Sequence, residues 1–206
     1  MPEAQSKKNT KPEEGKQIIR CSWCESDPLY IKYHDTVWGV PEHNDRRLFA
    51  KLCLDGAQAG LSWITILKKE KNYYKAFDNF DPKKIARYDQ KKIEELLNDP
   101  GIVRNKLKVN AFIANAKAYL EVKKEFGSFD KYLWQFTDYK VIDNKLASLK
   151  GAASTSAISD ELSKALKKRG FKFVGSTIVY AFMQAVGMVN DHVTDCFRYK
   201  EVQKLK

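Results

Sequence analysis

The stretch "NDPGIVRNK", residues 98–106, decides how the chain folds. Its Pro-Gly pair separates "DQKKIEELL" (89–97) from a long run of helical period that continues to Phe126. Proline cannot continue the first helix, and the glycine frees the turn that starts the second. Basic residues follow at once. Two amphipathic helices joined this way suit either a plain turn or a helix-hairpin-helix, in which the glycine lets the backbone approach a phosphate and the amides of the following helix take the anion. Such a contact is independent of base sequence.

Working outward, "NDRRLFAKLCL" (44–54) opens on an Asn or Asp cap, and "LSWITILKKEKNYYKAF" (61–77) follows Gly60, so two helices meet around residues 55–60. "DPKKIARY" (81–88) and "DQKKIEELL" each start on an acid at a cap position. Beyond a polar stretch at about 137–157, "SDELSKALKKRGF" (159–171) is amphipathic. "VGSTIVYAFMQAVG" (174–187) is apolar on nearly every side and must be a central buried helix. No repeat or run of alternating strands interrupts this pattern. The expected fold is all-α: a disordered polar tail over residues 1–19, then one domain of two small helical lobes over residues 20–206.

Of the formal net charge of +11, residues 1–20 contribute only +2, so about +9 belongs to the folded part. That surplus suits a polyanionic partner such as nucleic acid. No apolar run reaches the roughly 20 residues of a membrane span, and the N-terminus has no apolar signal core. A cytoplasmic location is expected. In that reducing compartment Cys21, Cys24, Cys53 and Cys196 are metal ligands or buried thiols rather than disulfides.

"HVTDC" (192–196) sets His192 and Cys196 four apart, which on one helical turn points both the same way, as two ligands of a tetrahedral metal require. Unless the two are unrelated residues, the other half can come from Cys21, Cys24, His34 and His43. The pair in "CSWC" would make a Cys3His site and Cys21 with His34 a Cys2His2 site; spacing does not choose between them. Aromatic residues crowd the same region: Trp23, Tyr30, Tyr33 and Trp38, with Trp63 further on. Flat side chains stack an extruded base, and the carboxylate of Asp55, set among apolar neighbours, can accept hydrogen bonds from an exocyclic amine. Glu121, about 20 residues after Gly101, shares a helix face with Lys117 and Glu125 and reads as part of a solvated salt-bridge stripe.

At "CSWCESDPLYIKYHDTVWGVPE", "LDGAQAGLSWITILKK", "DPGIVRNKLKV", "LSKALKKRGFKFVG" and "MQAVGMVNDHVTDC" the chain resembles the DNA-3-methyladenine glycosylase I family, from about Cys21 to Tyr199. The resemblance implies a zinc-containing helix-hairpin-helix DNA glycosylase, with one structural zinc held by Cys21, His34, His192 and Cys196, so that Cys24 becomes a bystander. It implies a catalytic pocket of Asp55, Tyr33 and Trp63. Trp38, Tyr30, Gly60 and Leu61 lie beside the lesion. Pro100, Gly101 and Val103 then hold the DNA backbone, and Arg104 and Lys106 add charge. The expected activity is hydrolysis of the N-glycosidic bond of 3-methyladenine in alkylated double-stranded DNA by a monomeric, monofunctional enzyme, with no membrane partner. Where the family has Glu, this chain has Asp55; where it usually has Glu before a Trp, this chain has Val37, and Ala57 replaces a common Gln. These departures set an alternative expectation, a catalytically impaired damage-recognition or DNA-binding protein of the same fold.

Overall fold

Asn44 accepts hydrogen bonds at its side-chain oxygen from the amides of Arg46 and Arg47, and so starts the helix that carries Asp55. The same device recurs at Asp81, Asp89 and Asn105, each an N-cap whose side chain accepts an amide of the first turn. The computed structural model describes residues 18–150 and 152–205. Ten α-helices follow one another there: α1 (Pro28–Thr36), α2 (Asp45–Gln58), α3 (Trp63–Ala76), α4 (Pro82–Ile85), α5 (Gln90–Asn98), α6 (Lys106–Phe126), α7 (Phe129–Trp134), α8 (Ala157–Lys168), α9 (Ser176–Ala185) and α10 (Phe197–Val202). The all-α expectation holds. One feature lay outside it: Ile142–Asp143 (β1) and Val189–Asn190 (β2) form a two-residue parallel bridge. Two residues are too few to leave an alternating pattern in sequence.

The main core lies between α2, α6 and α9 and is dense in phenylalanine: Phe77 and Phe112 meet at 4.6 Å between ring centroids, and Phe49 meets Tyr119 at 5.1 Å. A second, smaller cluster gathers Cys21, Tyr33, Trp38, Leu67, Ala185 and Cys196, with Trp63 packing against both clusters. The candidate site opens at this junction. Most of the expected tail lies outside the described residues; Ile19 is described, and its carbonyl accepts from the amide of Phe197. No helix among the described residues is long and apolar enough to cross a membrane.

The hairpin between α5 and α6 is tied to α3. Lys69 donates to the Pro100 carbonyl at 2.7 Å, and the Val103 amide donates to the Tyr73 hydroxyl at 3.1 Å. Gly101 is needed here for space. A Cβ on it would come within 2.8 Å of Asp99 Oδ1 and 3.1 Å of Asn72 Cβ. Its amide donates to the Asp99 side chain at 2.7 Å, so the free amides of the hairpin lie further on, at Lys106 and Leu107 in the first turn of α6.

Candidate active site and metal cluster

Asp55 is in the last turn of α2, where its neighbours Leu52, Cys53, Leu54 and Ala57 are all buried, and it is itself only 3% exposed. It caps nothing. One carboxylate oxygen, Oδ1, pairs with the ammonium of Lys51, one helical turn earlier; the other, Oδ2, is buried without a hydrogen-bond partner. An unsatisfied buried carboxylate oxygen is costly unless something arrives to occupy it. Burial pushes the Asp55 carboxyl above its usual range, and Lys51 pulls it partly back. Burial likewise lowers the Lys51 pKa, against the pull of Asp55.

Around Asp55 lies a cavity of about 240 Å³ lined by Trp23, Tyr30, Tyr33, Trp38, Gln58 and Trp63 among others. Trp63, the first residue of α3, meets Tyr33 at 5.5 Å with ring planes 47° apart, and its indole N–H is buried with no acceptor. Tyr30 is fixed by the Ile64 amide, which donates to its hydroxyl at 3.0 Å. Trp23 stands edge-on to both Tyr30 and Trp38, at 5.5 and 5.2 Å. Burial first, and then the nearby Asp55 charge, push the Tyr33 phenol well above its ordinary value, so Tyr33 is a neutral wall of the cavity.

The turn joining α2 to α3 is type II. Ala59 has φ −43° and ψ 119°, Gly60 has φ +75°, and the Leu61 amide donates to the Gln58 carbonyl at 2.6 Å. That third position demands glycine. Leu61, just after the turn, is left 40% exposed, and neither it nor Gly60 is among the residues that line the cavity. Beneath the turn, the buried ammonium of Lys108 donates to the carbonyls of Ala57 and Ala59, both at 2.7 Å. The helix after the hairpin therefore grips the end of the helix that carries Asp55.

Beside the cavity, Cys21, His34, His192 and Cys196 are all buried, with their ligating atoms within 4.8 Å of one another. Cys196 Sγ lies 3.5 Å from His34 Nε2 and 3.6 Å from His192 Nδ1, and Cys21 Sγ lies 3.7 Å from His192 Nδ1. Bonds of about 2.3 Å to sulfur and about 2.05 Å to nitrogen at the tetrahedral angle place these atoms about 3.6 Å apart. The remaining ring nitrogens are already oriented. His34 Nδ1 is 2.8 Å from Asp35, which Arg20 clamps from the far side, and His192 Nε2 is 3.1 Å from the Trp38 carbonyl. This outer shell is what metal-ligating histidines carry. Gly39 belongs to it by exclusion, since a Cβ there would meet His192 Nε2 at 2.8 Å.

Cys24 is buried outside the cluster, and His43 is far from it, paired with Asp130 and stacked on Trp134. One expectation is corrected. Residues 192–195 are not helical: His192 follows β2, a turn from Val193 to Cys196 follows, and Cys196 is the N-cap of α10. The turn is held because the Thr194 amide donates to the Leu146 carbonyl, a partner distant in sequence. The two ligands converge all the same. Glu121 is remote from Asp55 and faces Tyr132 and Arg169, while its helical neighbour Glu125 pairs with Arg169 at 2.7 Å.

Sequence reasoning passed over Lys51 and Lys108, because a lysine in an amphipathic helix reads as exposed. Only the spacing of Lys51 four residues before Asp55 hinted at a partnership.

The methyladenine glycosylase family model matches residues 23–199. The DNA-3-methyladenine glycosylase 1 of Escherichia coli K12 is 49% identical over 180 residues, covering 87% of this chain and 96% of that protein. A crystal structure of 3-methyladenine DNA glycosylase I matches with a TM-score of 0.85 at 51% identity, over 87% of this chain and 98% of the other. A structure that describes 3-methyladenine recognition by the Staphylococcus aureus enzyme matches with a TM-score of 0.84 at 38% identity, over 86% and 95% of the two chains. With both the sequence and the fold matched over nearly the whole described chain, the protein belongs to the methyladenine glycosylase family.

Proposed function

We propose that the protein excises 3-methyladenine from alkylated double-stranded DNA, acting as a monomer in the cytoplasm with one structural zinc ion. The observation that carries this is Asp55: a buried carboxylate with one oxygen unsatisfied, at the floor of an aromatic cavity. Relatives of nearly the same length are named for 3-methyladenine glycosylase activity.

Alkylation at N3 makes the adenine cationic, so the base is already a good leaving group and needs no strong general acid. The C1′–N9 electron pair passes to the purine and discharges it. Water adds to C1′ and its proton leaves to solvent. The protein's part is to extrude, select and hold the base. Trp63 stacks on it, Tyr33 packs against the base or sugar, Trp38 and Tyr30 close the wall, and Asp55 accepts hydrogen bonds from the exocyclic amine and balances charge. Gly60 and Leu61 form the rim beside the lesion.

For the DNA backbone, Arg104 and Lys106 are exposed beside the free amides of α6, and Pro100, Gly101 and Val103 shape the loop that presents them. Tyr73, which holds Val103, is ten residues after Trp63 on α3, so one rigid helix spaces the backbone grip about 15 Å from the pocket. Zinc suits the Cys2His2 cluster because the two thiolates and two oriented imidazoles complete a tetrahedron. It would staple the two ends of the chain, and no step passes through it.

The test is incubation with methylated duplex DNA. Release of free 3-methyladenine, leaving intact abasic sites, is expected. Tight binding to lesion DNA without release would instead establish the damage-recognition reading.

A further inference from the structure

Lys51 holds the two partners that a cationic base needs. Its ammonium pairs with Asp55 and lies 4.0 Å from the centroid of the Trp63 ring. Its side chain is 14% exposed, against 2% for Asp55. While Lys51 stays there, the pocket is electrically balanced and the stacking face of Trp63 is covered. A buried ion pair of this kind is costly to break without a substitute on each side.

The structure offers a substitute on the far side. Lys51 also lines an adjoining cavity of about 290 Å³, shared with Val37, Tyr74 and Glu70. Glu70 is half-buried and makes no ion pair among the described residues. Burial raises its pKa, with the Lys51 charge as the opposing influence, which places the two within electrostatic reach. The flexible four-carbon stem of a lysine suits movement between such stations.

We propose that Lys51 is a resident counter-ion which the cationic base displaces: its ammonium passes from Asp55 and Trp63 to Glu70 in the adjoining cavity, and the base takes both vacated contacts. Asp55 thus keeps a partner whether or not substrate is bound. The exchange rests on the reading of the pocket as a site for N3-alkylated adenine. Its energetics require only that the base and the Glu70 station together replace what Lys51 gives up.

The test is equilibrium binding of the 3,9-dimethyladeninium cation at pH 8, followed by tryptophan fluorescence. The full chain, Lys51→Met, Glu70→Gln and the double variant are compared, with Lys51→Gln as a second probe should Lys51→Met fold poorly. Lys51→Met should bind the cation about tenfold more tightly, about 1.4 kcal/mol. Glu70→Gln should bind it about tenfold more weakly, and this loss should vanish when Lys51 is already Met. Weaker binding by the Lys51 variants, no effect of Glu70→Gln, or a Glu70→Gln effect of equal size in both backgrounds overturns the exchange. Absence of cation binding in every variant overturns the base-pocket reading itself.

Discussion

Replacing Lys108 with Met tests whether the hairpin helix and the base pocket are one mechanical unit. The ammonium donates to two carbonyls at the end of α2, each at 2.7 Å, and Lys108 is 8% exposed. Hydrogen bonds to a charged group are worth about 1.5–3 kcal/mol each, so the gross interaction is about 3–6 kcal/mol. Burial of the ammonium offsets part of this, as its depressed pKa indicates. Methionine keeps the volume and helix propensity but leaves both carbonyls without their donor. A net loss of about 2.5 kcal/mol is expected, or about 5–10 °C in Tm for a domain of this size. Because the same carbonyls flank the Gly60 turn, base release should fall about tenfold in kcat/KM, since small displacements of positioning groups are costly. Urea unfolding and base release from methylated DNA measure the two effects. Lys117→Met, an exposed site on the same helix, is the control and should stay within about 0.5 kcal/mol of wild type. A Lys108→Met protein as stable and active as that control would refute the coupling.

Three further outcomes are expected. Metal analysis should find one zinc per chain, retained in Cys24→Ser and lost in Cys196→Ser, whose Tm should drop by several degrees; loss in the Cys24 variant alone would overturn the ligand set. The rate should fall on its acid limb with a midpoint above the ordinary carboxylate value of 3.8, because burial raises the Asp55 pKa and recognition needs the anion. Lys51→Met, which removes the opposing charge, should move that limb to higher pH in a pH–rate profile. The same shift has the opposite sign for stability: the folded state holds the Asp55 proton more tightly, so its contribution is fully present below the unfolded pKa and lost as pH rises through the folded one. Arg104→Ala and Lys106→Ala should each weaken binding to lesion and normal duplex alike, and each should reduce the slope of log affinity against log salt by about 1.

Much of this was legible in the sequence because the signals are local. Pro100 and Gly101 between amphipathic segments, the acids at Asp81 and Asp89, and the apolar faces of α9 report on the few residues around them. The burial of Asp55 was legible for a related reason, since an acid inside "CLDGAQAGL" sits among apolar neighbours. What stayed hidden depends on partners far along the chain. The turn at His192–Cys196 is held by Leu146, Gly101 is small because of Asn72, and Lys108 is buried because α2 ends beside it. Lysine carries no sequence mark for burial. Thus the two charges that most shape the pocket, Lys51 and Lys108, looked like ordinary helix surface. Lys51 also changes the surroundings of Asp55, which reads in sequence as a lone acid and is paired with a lysine in the structure.

The most direct test of the central claim is release of 3-methyladenine from methylated duplex DNA by the wild-type protein and by Asp55→Asn. The variant keeps the shape of the side chain and removes its charge. Loss of a preorganised electrostatic contact typically costs about 10²–10³ in rate. The account predicts base release by the wild type and a fall of that size in Asp55→Asn, with the fold intact by circular dichroism. Equal rates in the two proteins, or no release by either, would contradict it.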